Sequence, residues 1–140
     1  MGNGSKGYRK RSYTREQLMQ LLFQMELQED FSEKGKEAYV ESYKVSKSER
    51  KYFDSTFDTV ISNKDDIDDK IRKHSKNWAF GRISKVDLSI MRLAVSEIIY
   101  CDDIPDSVSI NEAVEMAKKF GGGDSGKFIN GILGEITRSK

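Results

Sequence analysis

From Ile110 to Leu133 the chain reads INEAVEMAKKFGGGDSGKFINGIL, two apolar-periodic segments around a run of glycine. Such a stretch admits little besides two helices joined by a hinge. Ile110, Ala113, Val114 and Ala117 fall at i, i+3, i+4 and i+7, which is one face of a helix. Ser109 and Glu112 have the spacing of a capping box, in which each side chain satisfies the other's free backbone N–H. That spacing predicts a helix start just before Ile110. The glycines from Gly121 then end the helix, because a C-cap takes the left-handed backbone that glycine tolerates. Asp124 or Ser125 restarts the chain as an N-cap. Phe128, Ile129, Ile132, Leu133 and Ile136 supply the next apolar stripe.

The same stretch satisfies the spacing G-x-x-x-x-G-K through Gly121, Gly126 and Lys127. A phosphate-binding loop needs a strand before the glycines and a Ser or Thr after the Lys to hold Mg²⁺. Here a helical pattern precedes them and Phe128 follows, so helix-hinge-helix is the better reading.

Elsewhere the pattern is also helical. Leu18, Leu21, Leu22 and Met25 mark a first helix over about 12–28, with Phe23 flanking. A shorter helix is expected over about 34–43. A third helix opens on a second capping box, Ser46 to Glu49, and buries Tyr52, Phe53, Phe57, Val60 and Ile61. A fourth buries Ile67 and Ile71. Asp65, Asp66, Asp68 and Asp69 at its start suit the helix dipole on a solvated face better than they suit a metal. Trp78 and Phe80 fall in a connector ending near Gly81. From about 84 to 100, Val86, Leu88, Ile90, Met91, Leu93, Val95, Ile98 and Ile99 cover more than one stripe, so this helix is central and packed on several sides. Pro105 lies in the turn that follows. With one proline and no alternating runs, the fold class is all-α: six or seven helices in a compact bundle.

Cys101 and His74 are each the sole residue of their type, which leaves no disulfide, no cysteine-based zinc site and no Ser/His/Asp or Cys/His set. No metal, no cofactor and no catalysis are expected. No apolar run approaches the roughly 18 residues of a membrane span, and the N-terminus lacks the apolar stretch of a signal peptide. A cytoplasmic protein is expected. Its net charge of +1 conceals an asymmetry: Lys6, Arg9, Lys10, Arg11 and Arg15 stand in the first fifteen residues without an acid, leaving −4 on the rest. Residues 1–8 are expected to form an unstructured arm, and 9–140 a single domain. Cations at a helix start oppose its dipole, so an outside polyanion is the natural partner, a solvated tail the alternative.

Read together, VDLSIMRLAVSEIIY, the Pro105 turn, INEAVEMAKKFG and DSGKFINGIL resemble the C-terminal half of the NusB transcription antitermination family. Arg15-Glu16 and Gln20-Leu21-Leu22-Phe23 resemble the family's first helix more weakly, and residues 30–80 match in helical character alone. Thr14 and Leu18 stand where the family usually has small residues. The resemblance implies two three-helix subbundles packed together. It also implies a non-catalytic adaptor that binds a boxA-type single strand of ribosomal RNA leaders. The adaptor acts with NusE, a small-subunit ribosomal protein, and joins the RNA polymerase elongation complex. Members occur as monomers and as dimers, so a homodimer is among the implied states. The RNA-binding residues it implies are Arg9, Lys10, Arg11, Arg15, Asp124, Lys127 and Phe128; Asp87 is the implied contact to NusE. The runner-up is an RNA-targeting module like the accessory domain of rRNA cytosine methyltransferases, which requires a catalytic domain after Lys140. A nucleotide-binding enzyme and a structural scaffold are the remaining readings.

The residues agree on type. Arg and Lys hold phosphates without reading sequence. Phe128 or Tyr13 can stack a base, although Phe128 beside Ile132 equally suits the core. Neutralising about three to five phosphates predicts a slope of about −2 to −3.5 in log K against log salt.

Overall fold

The computed structural model describes residues 2–76 and 78–140, with side chains from Lys10 onward. Among these residues there are seven α-helices and no strand: α1 (Gly2–Gln28), α2 (Glu33–Tyr43), α3 (Arg50–Ser62), α4 (Lys64–His74), α5 (Lys85–Tyr100), α6 (Asp106–Phe120) and α7 (Ser125–Ser139). Single 3₁₀ turns, Lys47–Glu49 and Phe80–Arg82, lead into α3 and α5.

The first helix starts well before residue 12. No proline interrupts the run through Lys6 and Arg15, and Lys and Arg are good helix formers, so the helical backbone extends to Gly2. Residues 1–8, expected as an arm, thus fall largely within α1, and their side chains lie outside the described residues.

Helix α5 organises the rest. Its residues Asp87 to Ile98 are all buried, and α1, α3, α4, α6 and α7 pack on it. One three-helix unit is α5–α6–α7. The other is α1–α2–α3, where Tyr39 of α2 stacks on Phe53 of α3 and Lys36 of α2 pairs with Asp54 of α3. Helix α4 bridges α3, α5 and α7. The apolar stripes read from the sequence meet in one core. Leu18, Leu21, Leu22, Met25, Phe53, Phe57, Val60, Ile67, Ile71, Ile129, Ile132, Leu133 and Ile136 are all buried, and Ile61 packs against them half-buried.

Polar side chains in that core correct several expectations. Ser109 and Glu112 form no capping box. The Ser109 hydroxyl donates to Glu97 at 2.7 Å, and Glu112 stands 3.5 Å from the Arg15 guanidinium. Helix α6 starts at Asp106 instead, behind Pro105, whose φ of −60° is pre-set for helix entry. Ser46 and Glu49 form none either: Ser46 makes no cap bond, and Glu49 accepts from Arg11 at 2.6 Å. Asp68 does not face solvent. It is 7% exposed and holds Arg92 through two bonds of 2.8 Å, while Arg92 also reaches Glu26 at 2.5 Å. Burial pushes the Glu26 carboxyl up, but Arg92 and Lys85 more than offset that and hold it below its ordinary range.

Candidate nucleic-acid interface

The expected site divides into three environments. Arg15 is 4% exposed. Its guanidinium holds Glu97 at 2.9 and 3.2 Å and reaches Glu112, all between α1, α5 and α6. The Tyr52 hydroxyl donates to the same Glu97 carboxylate. Burial opposes the charge on Arg15, yet the Glu97 hydrogen bond and the surrounding negative charge win, so the proton is held more firmly than usual. Arg15 therefore ties three helices together and is not free to meet a phosphate.

Lys10 and Arg11 form the second environment. Lys10 is exposed and donates to the Ser48 hydroxyl at 2.9 Å. Arg11 lies over the Tyr52 ring, 4.1 Å from its centroid, and bonds Glu49; its side chain keeps 35% exposure. The Arg9 and Tyr8 side chains lie outside the described residues. Tyr13 is 60% exposed.

The hinge is the third environment. Gly121 caps α6 with φ −96° and ψ −174°, an extended backbone, and no described glycine takes positive φ. The left-handed cap expected here is thus absent. Glycine is needed for space: a Cβ at Gly121 would sit 2.6 Å from Ser125 Oγ and 2.8 Å from the Ala117 carbonyl. Ser125 uses this closeness. Its Oγ accepts from the Gly122 N–H at 3.0 Å and donates to Asp87 Oδ2 at 3.1 Å, which pins the start of α7 against the start of α5. Asp124 precedes α7 but makes no side-chain cap bond and stays exposed, as does Lys127. Gly121→Ala is therefore expected to lose about 1–3 kcal/mol by overpacking. Gly123→Ala, whose Cβ meets nothing within 4 Å, is expected to be neutral or stabilising. Melting curves of the two variants check both.

Around this hinge Trp78, Arg82, Asp87, Asp124, Ser125 and Phe128 line a pocket of about 440 Å³. Trp78 stands 51% exposed, edge-to-face with half-buried Phe128 at a centroid distance of 6.2 Å. On the far side of that aromatic pair, Lys76 and Lys127 line a second pocket of about 350 Å³. The residues Asp124, Lys127, Phe128 and Asp87 thus come together. Asp87 does so in an unexpected place: at 8% exposure it lines the pocket, and only a group entering the cavity can reach it. Trp78, read from sequence as a connector residue, was missed; a large aromatic in a polar connector was the available signal. Lys10 and Arg11 lie apart from the hinge. Glu97, which holds Arg15, and Asp87, which holds Ser125, are ten residues apart in α5, about 15 Å along the helix axis.

Such a surface has an exposed indole beside a half-buried phenyl ring, the exposed cation Lys127 and a pocket, parts that a single strand of nucleic acid can engage. The family model described as the NusB family matches residues 12–138. A transcription antitermination protein NusB of Acetivibrio thermocellus is 45% identical over 130 residues, 93% of this chain and 90% of that protein. Another, from Oceanobacillus iheyensis, is 42% identical over 126 residues, covering 90% and 97%. The solved structure of T. maritima NusB superposes with a TM-score of 0.84 at 34% identity, covering 91% of this chain and 90% of that one. A chain from a complex of antitermination factors NusB and NusE with double-stranded RNA superposes with a TM-score of 0.85 at 25% identity, covering 94% and 98%.

Proposed function

This chain belongs to the NusB family, and from that premise we propose that it is a transcription antitermination factor, a non-catalytic adaptor that binds a boxA-type single strand of ribosomal RNA leaders together with NusE. The observation that carries the reading is the hinge surface: exposed Trp78 against Phe128, with Lys127 and Asp124 beside them. Aromatic faces stack bases and cations hold phosphates. Relatives that match along nearly their whole length carry the antitermination name, which favours this reading over a methyltransferase accessory domain. Docking on the RNA polymerase elongation complex, and hence a place in the cytoplasm, belong to the same proposal. No described helix is long and apolar enough to cross a membrane.

With Arg15 buried, the strand meets Lys10, the free side of Arg11 and Lys127. About three neutralised phosphates predict a slope near −2 in log K against log salt, the shallow end of the range read from sequence. Arg9 adds to this if it reaches the strand. Anisotropy of a labelled boxA-type RNA, with and without NusE and against a scrambled RNA, tests the reading. Sequence-dependent binding strengthened by NusE is expected; equal binding to the scrambled strand would refute it. A salt slope steeper than about −3.5 would refute the reduced contact set.

A further inference from the structure

A column of three aromatic rings runs out of the core where α1, α2 and α3 meet, and it ends in solvent. Phe53 of α3 is fully buried, Tyr39 of α2 stacks on it at a centroid distance of 6.3 Å, and Tyr43 stacks on Tyr39 at 4.4 Å. Tyr43 is 54% exposed, so one face of its ring is covered and the other is open. Helix α1 holds the column as well. Gln17 Nε2 donates to the Tyr43 carbonyl at 3.2 Å, and the Tyr39 hydroxyl donates to Gln20 Oε1 at 3.4 Å. Burial, with Tyr43 and Tyr13 beside it, holds the Tyr39 phenol above its ordinary value, which sets both exposed rings around it. Lys10, Tyr13 and Gln17 fall at i, i+3 and i+7 of α1, one face about 10 Å long. Beyond Tyr43 the chain turns in a left-handed cap at Lys44 and returns to Ser48, whose hydroxyl accepts from Lys10 at 2.9 Å. Lys44 and Lys47 on this return are exposed and form no ion pair among the described residues.

We propose that this face holds unpaired nucleotides flanking the boxA-type element, with one base stacked on Tyr43 as the next member of the column and the adjoining phosphates on Lys44 and Lys47. The inference rests on the RNA-binding reading above and lengthens the path of the strand from Lys10, where the two stretches join. Every base has a π-face, so such a platform binds without choosing sequence. Tyr43 is pre-organised for it, because the stack on Tyr39 already fixes the ring and little freedom is left to lose on binding. Tyr13 offers a second ring between Lys10 and Gln17 on the same face. Tyrosine serves protein interfaces too, but lysine is depleted in them. Here exposed lysines border both rings, while Glu49 in the same turn is committed to Arg11. Charge of that sign favours a polyanion over a protein surface.

The test is anisotropy, with the full chain and NusE, of a labelled RNA confined to the boxA-type element and of the same RNA lengthened by a few unpaired adenosines at its 5′ or its 3′ end. One of the two extensions is expected to raise affinity about tenfold. It should also steepen the slope of log K against log salt by about 0.7 for each phosphate held. Tyr43→Leu keeps Tyr39 covered but offers no π-face, so it should abolish the gain and leave the short strand unchanged. Tyr43→Phe should retain the gain. Lys44→Ala with Lys47→Ala should return the salt slope to that of the short strand. The proposal is overturned if neither extension tightens binding, or if Tyr43→Leu keeps the gain. It is equally overturned if Tyr43→Leu weakens NusE binding without RNA and leaves the gain unchanged, because the face would then belong to a protein. A short strand bound no better than a scrambled one overturns the proposed function, and this inference with it; a sequence-dependent short strand that gains nothing from extension overturns this inference alone.

Discussion

Arg15→Ala is expected to destabilise the fold by about 3–5 kcal/mol, lowering the melting temperature by roughly 10–20 °C. The loss comes from the partners left behind. Glu97 is 1% exposed, and Arg15 is the one cation that the described structure bonds to it. Removing the guanidinium leaves the Glu97 carboxylate buried without the cation that bonds it, and the Arg15–Glu112 ion pair is lost as well. Arg15→Met with Glu97→Gln removes both charges, keeps an amide for Tyr52 and Ser109, and should recover a large part of the stability. A phosphate-binding Arg15 predicts the opposite pattern, a normal melting curve with weakened RNA affinity. Thermal melting of the single and double variants, followed by an RNA titration, separates the two roles.

Arg92→Leu is the second large effect, about 3 kcal/mol, at the lower end of the range for a broken buried pair. Lys64 stays 3.9 Å from Asp68 and Lys85 stays 3.2 Å from Glu26, so neither acid is wholly abandoned. The deficit should depend on pH. In the unaltered chain the Glu26 carboxyl is held below its ordinary value, so its contribution is full above that value and fades as pH falls through the lowered one. Without Arg92 the upward push of burial regains weight, and protonation relieves the acids left in the core. The gap between the two proteins is therefore widest near neutrality and narrows toward pH 4. Denaturant titrations at pH 7 and pH 4 measure it; an equal gap at both would contradict this account.

These two arginines mark where sequence reading succeeds and fails. Apolar periodicity located the cores of the helices other than α2, because the spacing of Leu18, Leu21, Leu22 and Met25 or of Ile129, Ile132, Leu133 and Ile136 is a property of the local chain. Polar residues were assigned local partners on the same logic, and there it misled. Glu49 and Glu112 sit at capping-box spacing, yet Arg11 takes the first from 38 residues away and Arg15 the second from 97. Asp68, read as a dipole-favouring surface acid, is claimed by Arg92 of α5, 24 residues further along the chain. At the hinge, the glycines were expected for a left-handed turn and are needed for the approach of Ser125 to Gly121. The Ser125–Asp87 bond was illegible because it depends on how α5 and α7 are set side by side.

Helix α5 has no solvent-facing side between Asp87 and Ile98, and five other helices use it as their floor. None of those five can detach without exposing apolar area on the helix they share, so fluctuations that stop short of full unfolding are confined to the rim. Amide hydrogens in the middle of α5 should therefore exchange only through global opening, at rates set by total stability, whereas those of the glycine hinge exchange through local opening. The surface that meets a ligand can then rearrange on binding while the scaffold beneath it stays closed.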